Sequence, residues 1–228
     1  IEAAFPDVTL IRLDHNAGFA AANNLAAVQA KGRYILLLNP DTVVLEHAID
    51  KLVAFAVSHP EYGVYGGSTL YGDFSCNPTA GWNMATRWSL FCLATGLVPL
   101  FRGSRLFDPE SLAFWDWAEP RHVDIVTGCF MLARAAFWRE LDGFDADFHM
   151  YGEDADLSLR AAGAGKPCMI VSDARIIHYG GASERGRSEK MIRLLKAKAR
   201  LYGKHWSCGK ARYAVFMLKL WVWTRKTV

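Results

Sequence analysis

The chain has 228 residues, 52% of them hydrophobic and 21% charged, which is enough apolar material for one globular domain with a modest appendage and excludes a disordered chain. Its net charge of +3 hides an asymmetry: residues 185–228 carry 13 of the 26 Lys and Arg and one acid, Glu189, leaving the rest of the chain acidic. A net positive charge confined to one tail of an otherwise acidic chain argues against a nucleic-acid binder, and points the tail toward an anionic partner such as a phospholipid surface or a diphosphate.

In chain order, Val8 to Leu13 reads as a short strand and Ala20 to Lys31 as a helix with Gly32 just past its end. Arg33 to Leu38 is a continuous apolar run, the pattern of a strand buried on both faces of a parallel sheet. After Asn39-Pro40-Asp41-Thr42, Leu45 to Ser58 is amphipathic and helical, with Glu46 in its first turn. Val64 to Leu70 is another strand. Strand and helix alternating at this spacing predict a layered α/β domain.

Residues 72–120 are rich in Gly, Pro, Trp and Phe without a clear period, and read as a long, partly helical insertion shaping a cleft. Its longest uncharged stretch, Trp88 to Phe101, contains Gly96 and Pro99 and is too short to span a bilayer. Nor does the chain show the basic and apolar regions of a signal peptide. Val123 to Ala133 returns to strand character around Gly128, and Ala135 to Leu141 is a short helix. Glu153 to Ala162 is a second helix, and Met169 to Ile177 a last strand interrupted near Ser172-Asp173. From Ser188 onward the chain is helical and basic. The five cysteines are odd in number, scattered and without a C-x-x-C pair, so buried free thiols in a reducing compartment are expected.

Four segments bear chemistry. Asp41 follows a strand, where a carboxylate can hold Mg²⁺ or Mn²⁺ against a diphosphate, although Asn-Pro-Asp is equally a turn sequence. Glu153, Asp154 and Asp156 crowd the first turn of a helix. They either complement its dipole or, in a cleft, give one carboxylate the raised pKa of a general base. His178 ends a strand before a glycine-containing loop, as a plain histidine or a ligand for an Mn²⁺-like ion. Asn16 to Asn24 combines Gly18 with paired amides, which suits a glycine turn into an Ala-rich helix or the close approach of a phosphate or sugar.

Taken in order, these segments resemble family 2 glycosyltransferases, in particular their rhamnosyltransferase-like branch. Members read N-x-G-F-A-x-x-N-N, L-L-N-P-D, G-x-x-M-L-x-R, then G-x-F-D-E-x-F-F-M-Y-x-E-D-x-D-L-x-x-R and a closing H-x-x-G-x-S. Here these are Asn16 to Asn24, Leu37 to Asp41, Gly128 to Arg134, Gly143 to Arg160 and His178 to Ser183. The resemblance implies a GT-A (Rossmann-like) fold with a mixed, mainly parallel sheet flanked by helices over residues 1–184, and a basic helical extension over 185–228. It also implies that the first strands of the nucleotide pocket are missing before Ile1, which should leave an exposed strand edge.

By the same resemblance, Asp154 is the catalytic base and Glu153 positions it or the acceptor. Asp41 and His178 hold a divalent cation, Mn²⁺ or Mg²⁺, with Asn39 where many relatives have Asp. Asn16, Gly18, Asn23, Asn39 and Asp41 stand on the donor side, and Gly128, Tyr151, Trp115 and Trp117 on the acceptor side. Trp82 and Trp88 belong to the same aromatic insertion, and Arg160 pairs with Asp156 at helical spacing.

The implied reaction is an inverting transfer of a sugar, rhamnose by preference, from a nucleotide-diphosphate donor to a saccharide or lipid-linked acceptor in cell-envelope synthesis. The expected location is the cytoplasm, with the basic tail touching the anionic inner face of the membrane or, alternatively, packing on the core. Two other readings stay open. A nucleotidyltransferase should show a glycine-rich phosphate loop near a basic residue, and a catalytically dead fragment should bind no donor.

Overall fold

The computed structural model describes residues 2–180 and 187–226. Gly181 and Ser183, in the last motif, lie outside the described residues. The elements in order are α1 (Phe19–Gln29), β1 (Tyr34–Leu38), β2 (Thr42–Val44), α2 (Ala48–Ser58) and β3 (Val64–Leu70). The insertion then supplies β4 (Cys76–Asn77), β5 (Gly81–Trp82), α3 (Arg87–Ala94) and α4 (Leu97–Leu100). There follow β6 (Arg121–Val123), β7 (Ile125–Val126), β8 (Phe130–Arg134), α5 (Ala135–Glu140), α6 (Glu153–Gly163) and β9 (Cys168–His178). Two long helices, α7 (Arg187–His205) and α8 (Cys208–Lys226), close the described chain.

The main sheet runs β1-β8-β3-β9-β2, with β4 on β3 and β6 on β9. It is mixed and flanked by helices, as the sequence led us to expect. Its longest ladder, β3 with β9, is parallel, and the other ladders are antiparallel.

Side chains alternate across this sheet with period two and so build two core layers. Ile35, Leu37, Met131, Ala133 and Ile170 meet Ala20 and Ala27 of α1, Phe137 of α5 and Leu157 of α6 on one face. Phe130, Leu132, Met169 and Val171 meet Ala48, Leu52 and Ala56 of α2 on the other. The interruption expected near Ser172-Asp173 is a bulge: the partner of Gly67 is Val171, whereas that of Ser68 is Arg175. Gly67 is required there, because a Cβ would come within 2.2 Å of the Ala174 carbonyl oxygen.

Three local readings change. Val8 to Leu13 forms no strand; Val8, Leu10 and Leu13 are exposed and the segment has no ladder to hold it extended. Arg33 to Leu38 is not buried on both faces of a parallel sheet. β1 sits at the sheet edge, antiparallel to β8, and Leu38 is exposed. The helix expected from Leu45 starts at Ala48, because Thr42 to Val44 pair with β9 and Glu46 and His47 take positive φ. The acid in its first turn is therefore Asp50.

All five cysteines are free thiols; Cys92, Cys129 and Cys168 are buried, while Cys76 and Cys208 are exposed. Leu90 and Ala94 of α3 pack with Tyr202 of α7 and with Ala214, Met217 and Leu218 of α8. Leu201 packs with Ile125, Phe148 and Ala155. The basic extension is thus joined to the body through an apolar core of its own.

Candidate active site

Gly152, at φ +90°, turns the chain into α6 and sets Glu153 and Asp154 at the helix start. Asp154 accepts hydrogen bonds from the Gly128 N–H at 3.1 Å and the Ala155 N–H at 2.8 Å. Burial nonetheless raises its pKa above the ordinary carboxylate value, against the pull of those two donors. Glu153 is buried beside it, and its Oε2 has no hydrogen-bond partner among the described residues. Burial, then the neighbouring Asp154 charge, push Glu153 up to about 7.

Asp156, one position further on, behaves in the opposite way. It is fully buried, yet hydrogen bonds from His205, Lys204 and Arg160 overcome the burial and bring its pKa down to about 2. Arg160 Nε lies 2.7 Å from it, Lys204 Nζ 2.7 Å and His205 Nε2 2.8 Å. The pairing of Arg160 with Asp156 expected from helical spacing is present, and Arg160 also donates to the Leu141 and Gly143 carbonyls. This acid clasps α6 to the end of α7.

Asp41 and His178 lie side by side where β2 meets β9, with Thr42 in register with His178. Asp41 Oδ1 is 3.4 Å from His178 Nε2, and both side chains remain partly exposed. Gly128 and Cys129 connect this pair to the α6 carboxylates: Cys129 accepts from the Asn39 N–H at 3.0 Å, while Gly128 donates to Asp154. The Cys129 thiol is pushed up to about 12, chiefly by burial, with the charges of Asp154 and Asp41 adding to it.

A cleft of about 610 Å³ has Asp154, Tyr151 and Gly152 in its lining. One wall comes from the insertion, through Trp82, Met84, Leu93, Val98 and Phe107. The facing wall comes from α7, through Lys190, Leu194, Lys198 and Leu201. Few polar groups converge on a mostly apolar surface, as in sites for amphiphilic ligands.

A sequence profile described as glycosyltransferase-like family 2 matches residues 1–202. The chain belongs to this family. It is 30% identical over 184 residues to the rhamnosyltransferase WbbL of Escherichia coli K12, covering 77% of this chain and 66% of that protein. It is also 30% identical over 185 residues to the O-antigen biosynthesis protein RfbC of Myxococcus xanthus, covering 78% of this chain and 14% of that one. The N-acetylglucosaminyl-diphospho-decaprenol L-rhamnosyltransferase of Mycobacterium tuberculosis is 25% identical over 189 residues, 77% of this chain and 60% of its own length. The chain therefore spans less than two thirds of each of these relatives. In fold it is similar to GalNAc-T7, solved with UDP, GalNAc and Mn²⁺, at a TM-score of 0.57 and 18% identity over 85% of this chain and 36% of that one. The fold is GT-A.

The family's separate motifs meet in space only in part. Phe19, which follows Gly18, lies against Gly128, since a Cβ there would come within 3.0 Å of its ring. The first motif is thereby brought beside Asp154. Within it, Asn16 accepts from the Gly18 N–H at 2.9 Å, and Asn23 donates to its own helix at the Phe19 carbonyl at 2.8 Å. The neighbouring Asn24 exchanges two hydrogen bonds with the Phe144 backbone, at 2.7 and 2.9 Å, tying α1 to the segment before α6. Trp115 and Trp117 stack at 4.1 Å and pack with the core, and they do not line the cleft. Trp82 does, together with α7, which the sequence reading placed either at a membrane surface or packed on the core, and not in the wall of a cleft.

Proposed function

We propose that this chain carries the catalytic site of an inverting glycosyltransferase that moves a sugar, rhamnose by preference, from a nucleotide-diphosphate donor to a lipid-linked saccharide acceptor in cell-envelope synthesis. One observation carries the reading: Asp154, with its raised pKa, opens into the apolar cleft and is joined through Gly128-Cys129 to the Asp41–His178 pair. Asp154 accepts the proton of the acceptor hydroxyl as its oxygen attacks the anomeric carbon, and the bond from that carbon to the diphosphate breaks on the opposite side. Positioned proton transfer of this kind is worth about 10²–10⁴-fold. Glu153, protonated more readily than an ordinary carboxyl, orients the acceptor or its neighbour without adding a second full charge.

Asp41 and His178 offer one hard oxygen and one imidazole nitrogen side by side, and the described residues contain no cluster of three His, Cys, Asp or Glu that could hold a metal. That donor set fits Mn²⁺ or Mg²⁺ completed by substrate phosphates, with Asn39 close by. Such an ion, when bound, supplies charge neutralisation to the departing diphosphate. Asn16 and Gly18 border the donor side, and Tyr151 the acceptor side.

The cleft's apolar walls suit the greasy end of a lipid-linked acceptor, with Lys190 and Lys198 standing in the same lining as Asp108 and Glu110 and Lys198 3.8 Å from Glu110. Enzyme and acceptor would then meet at the inner face of the cytoplasmic membrane. No helix among the described residues is long and apolar enough to cross one. The test is transfer by the protein from a panel of nucleotide sugars, with and without Mn²⁺, beside His178→Ala. Metal-dependent turnover whose metal requirement rises tenfold or more in the variant is expected. No donor binding under any condition would sink the reading and leave a GT-A fold without catalysis.

A further inference from the structure

The insertion turns an apolar face outward. Leu100 is 74% exposed, Leu106 59% and Phe101 47%, and Trp88 and Phe91 are exposed as well. The rings form one surface: Trp88 stacks with Phe91 at 5.6 Å and meets Phe107 at 6.1 Å, and Phe107 stacks with Phe101 at 4.6 Å. The Trp88 indole N–H donates to the Leu106 carbonyl at 2.7 Å, which ties the segment after α4 back onto α3. A contiguous exposed patch of this kind marks an interaction site.

Charge selects the partner. From residue 74 to residue 107 the chain contains no Asp or Glu, and its charged side chains are Arg87, Arg102 and Arg105, all exposed. Each adjoins an exposed apolar residue in sequence: Arg87 beside Trp88, Arg102 beside Phe101, Arg105 beside Leu106. Rings and aliphatic chains interleaved with guanidinium groups match a lipid interface, where apolar groups reach the acyl boundary and cations meet phosphate. The same segment also faces inward, since Leu93, Val98 and Phe107 line the cleft that holds Asp154.

We infer that the α3–α4 hairpin docks the protein on an anionic phospholipid surface and places the mouth of the cleft against it. The inference rests on the reading of the acceptor as lipid-linked. It puts the membrane contact on the insertion, where five exposed apolar residues adjoin one another, and not on the basic extension, whose Tyr202, Ala214, Met217 and Leu218 are buried against the body while Met191, Ile192, Phe216 and Trp223 are exposed along two helices.

Flotation with phosphatidylcholine vesicles, with and without phosphatidylglycerol, tests this directly. The protein should float with the phosphatidylglycerol vesicles. Its partition should fall about tenfold or more in Leu100→Gln/Leu106→Gln, whose side chains are too exposed to be needed for folding. Arg102→Gln/Arg105→Gln should lose the preference for phosphatidylglycerol, while Lys210→Gln/Arg212→Gln on α8 should change partition less than twofold. Unchanged binding in the leucine variant, or a larger loss in the α8 variant, would overturn the assignment. So would a dimer, seen by light scattering, that the leucine variant dissociates while vesicle binding stays intact, since the patch would then belong to a second copy. Transfer to a water-soluble acceptor, assayed in parallel, should be equal in wild type and Leu100→Gln/Leu106→Gln. Its absence from both with flotation intact would count against the transfer reading and leave the docking surface standing.

Discussion

Glu153 and Asp154 share the first turn of α6 with Asp156, and the two sites end in opposite electrostatic states. Burial with only backbone donors at hand raises the pair, leaving Glu153 at about 7. Burial with three side-chain hydrogen-bond partners at hand, Arg160, Lys204 and His205, takes Asp156 down to about 2. The difference comes from α7, which delivers Lys204 and His205 to one carboxylate and leaves Asp154 in the lining of the cleft. A carboxylate's task is set by what the fold brings against it, and adjacency in the chain says little about it.

The largest expected effect breaks that comparison at the chemistry. Asp154→Asn should lower the rate of sugar transfer by about 10²–10⁴-fold and leave the denaturation midpoint nearly unchanged. Retained activity would reduce Asp154 to a helix-terminal acid. Asp156→Asn should do the reverse, costing about 2–3 kcal/mol in chemical denaturation because three donors lose a charged acceptor. Turnover per folded molecule should survive in that variant.

The pH dependence sharpens the same contrast. Asp156, depressed in the folded state, contributes stability above the unfolded carboxyl value and loses it as pH falls toward about 2. Glu153 is raised, so its contribution is present below the unfolded value, near 4.5, and is lost as pH rises through about 7. Between those values stability should decline with pH, and Glu153→Gln should flatten that slope in urea titrations at fixed pH steps. The smallest effect is expected for Lys204→Met, within about 1 kcal/mol, since that side chain is partly exposed and its pair is screened by water.

Much of this protein was legible in the order of its motifs. The GT-A fold, the placement of Glu153 and Asp154 at a helix start, the Arg160–Asp156 pair and the bulge near Ser172 all follow from local pattern. These features depend on neighbours within a few residues, or on a family order that fixes the rest. Less legible were Val8 to Leu13 and Arg33 to Leu38, because strand burial depends on which ladders form and apolar character cannot report that. Trp115 and Trp117 pack with the core outside this cleft, a placement that composition could not report because an aromatic insertion has too many rings to separate core from cleft.

By itself, then, the sequence determined the family and offered the residues for the proposed proton transfer and cation binding, because those are carried by short motifs whose spacing is local. The tertiary structure alone decided that Asp41 and His178 stand 3.4 Å apart, that α7 forms a wall of the cleft, and that Asp156 is spent on holding it. Those outcomes come from contacts between residues far apart in the chain, where burial and the arrival of a distant charge set both geometry and protonation.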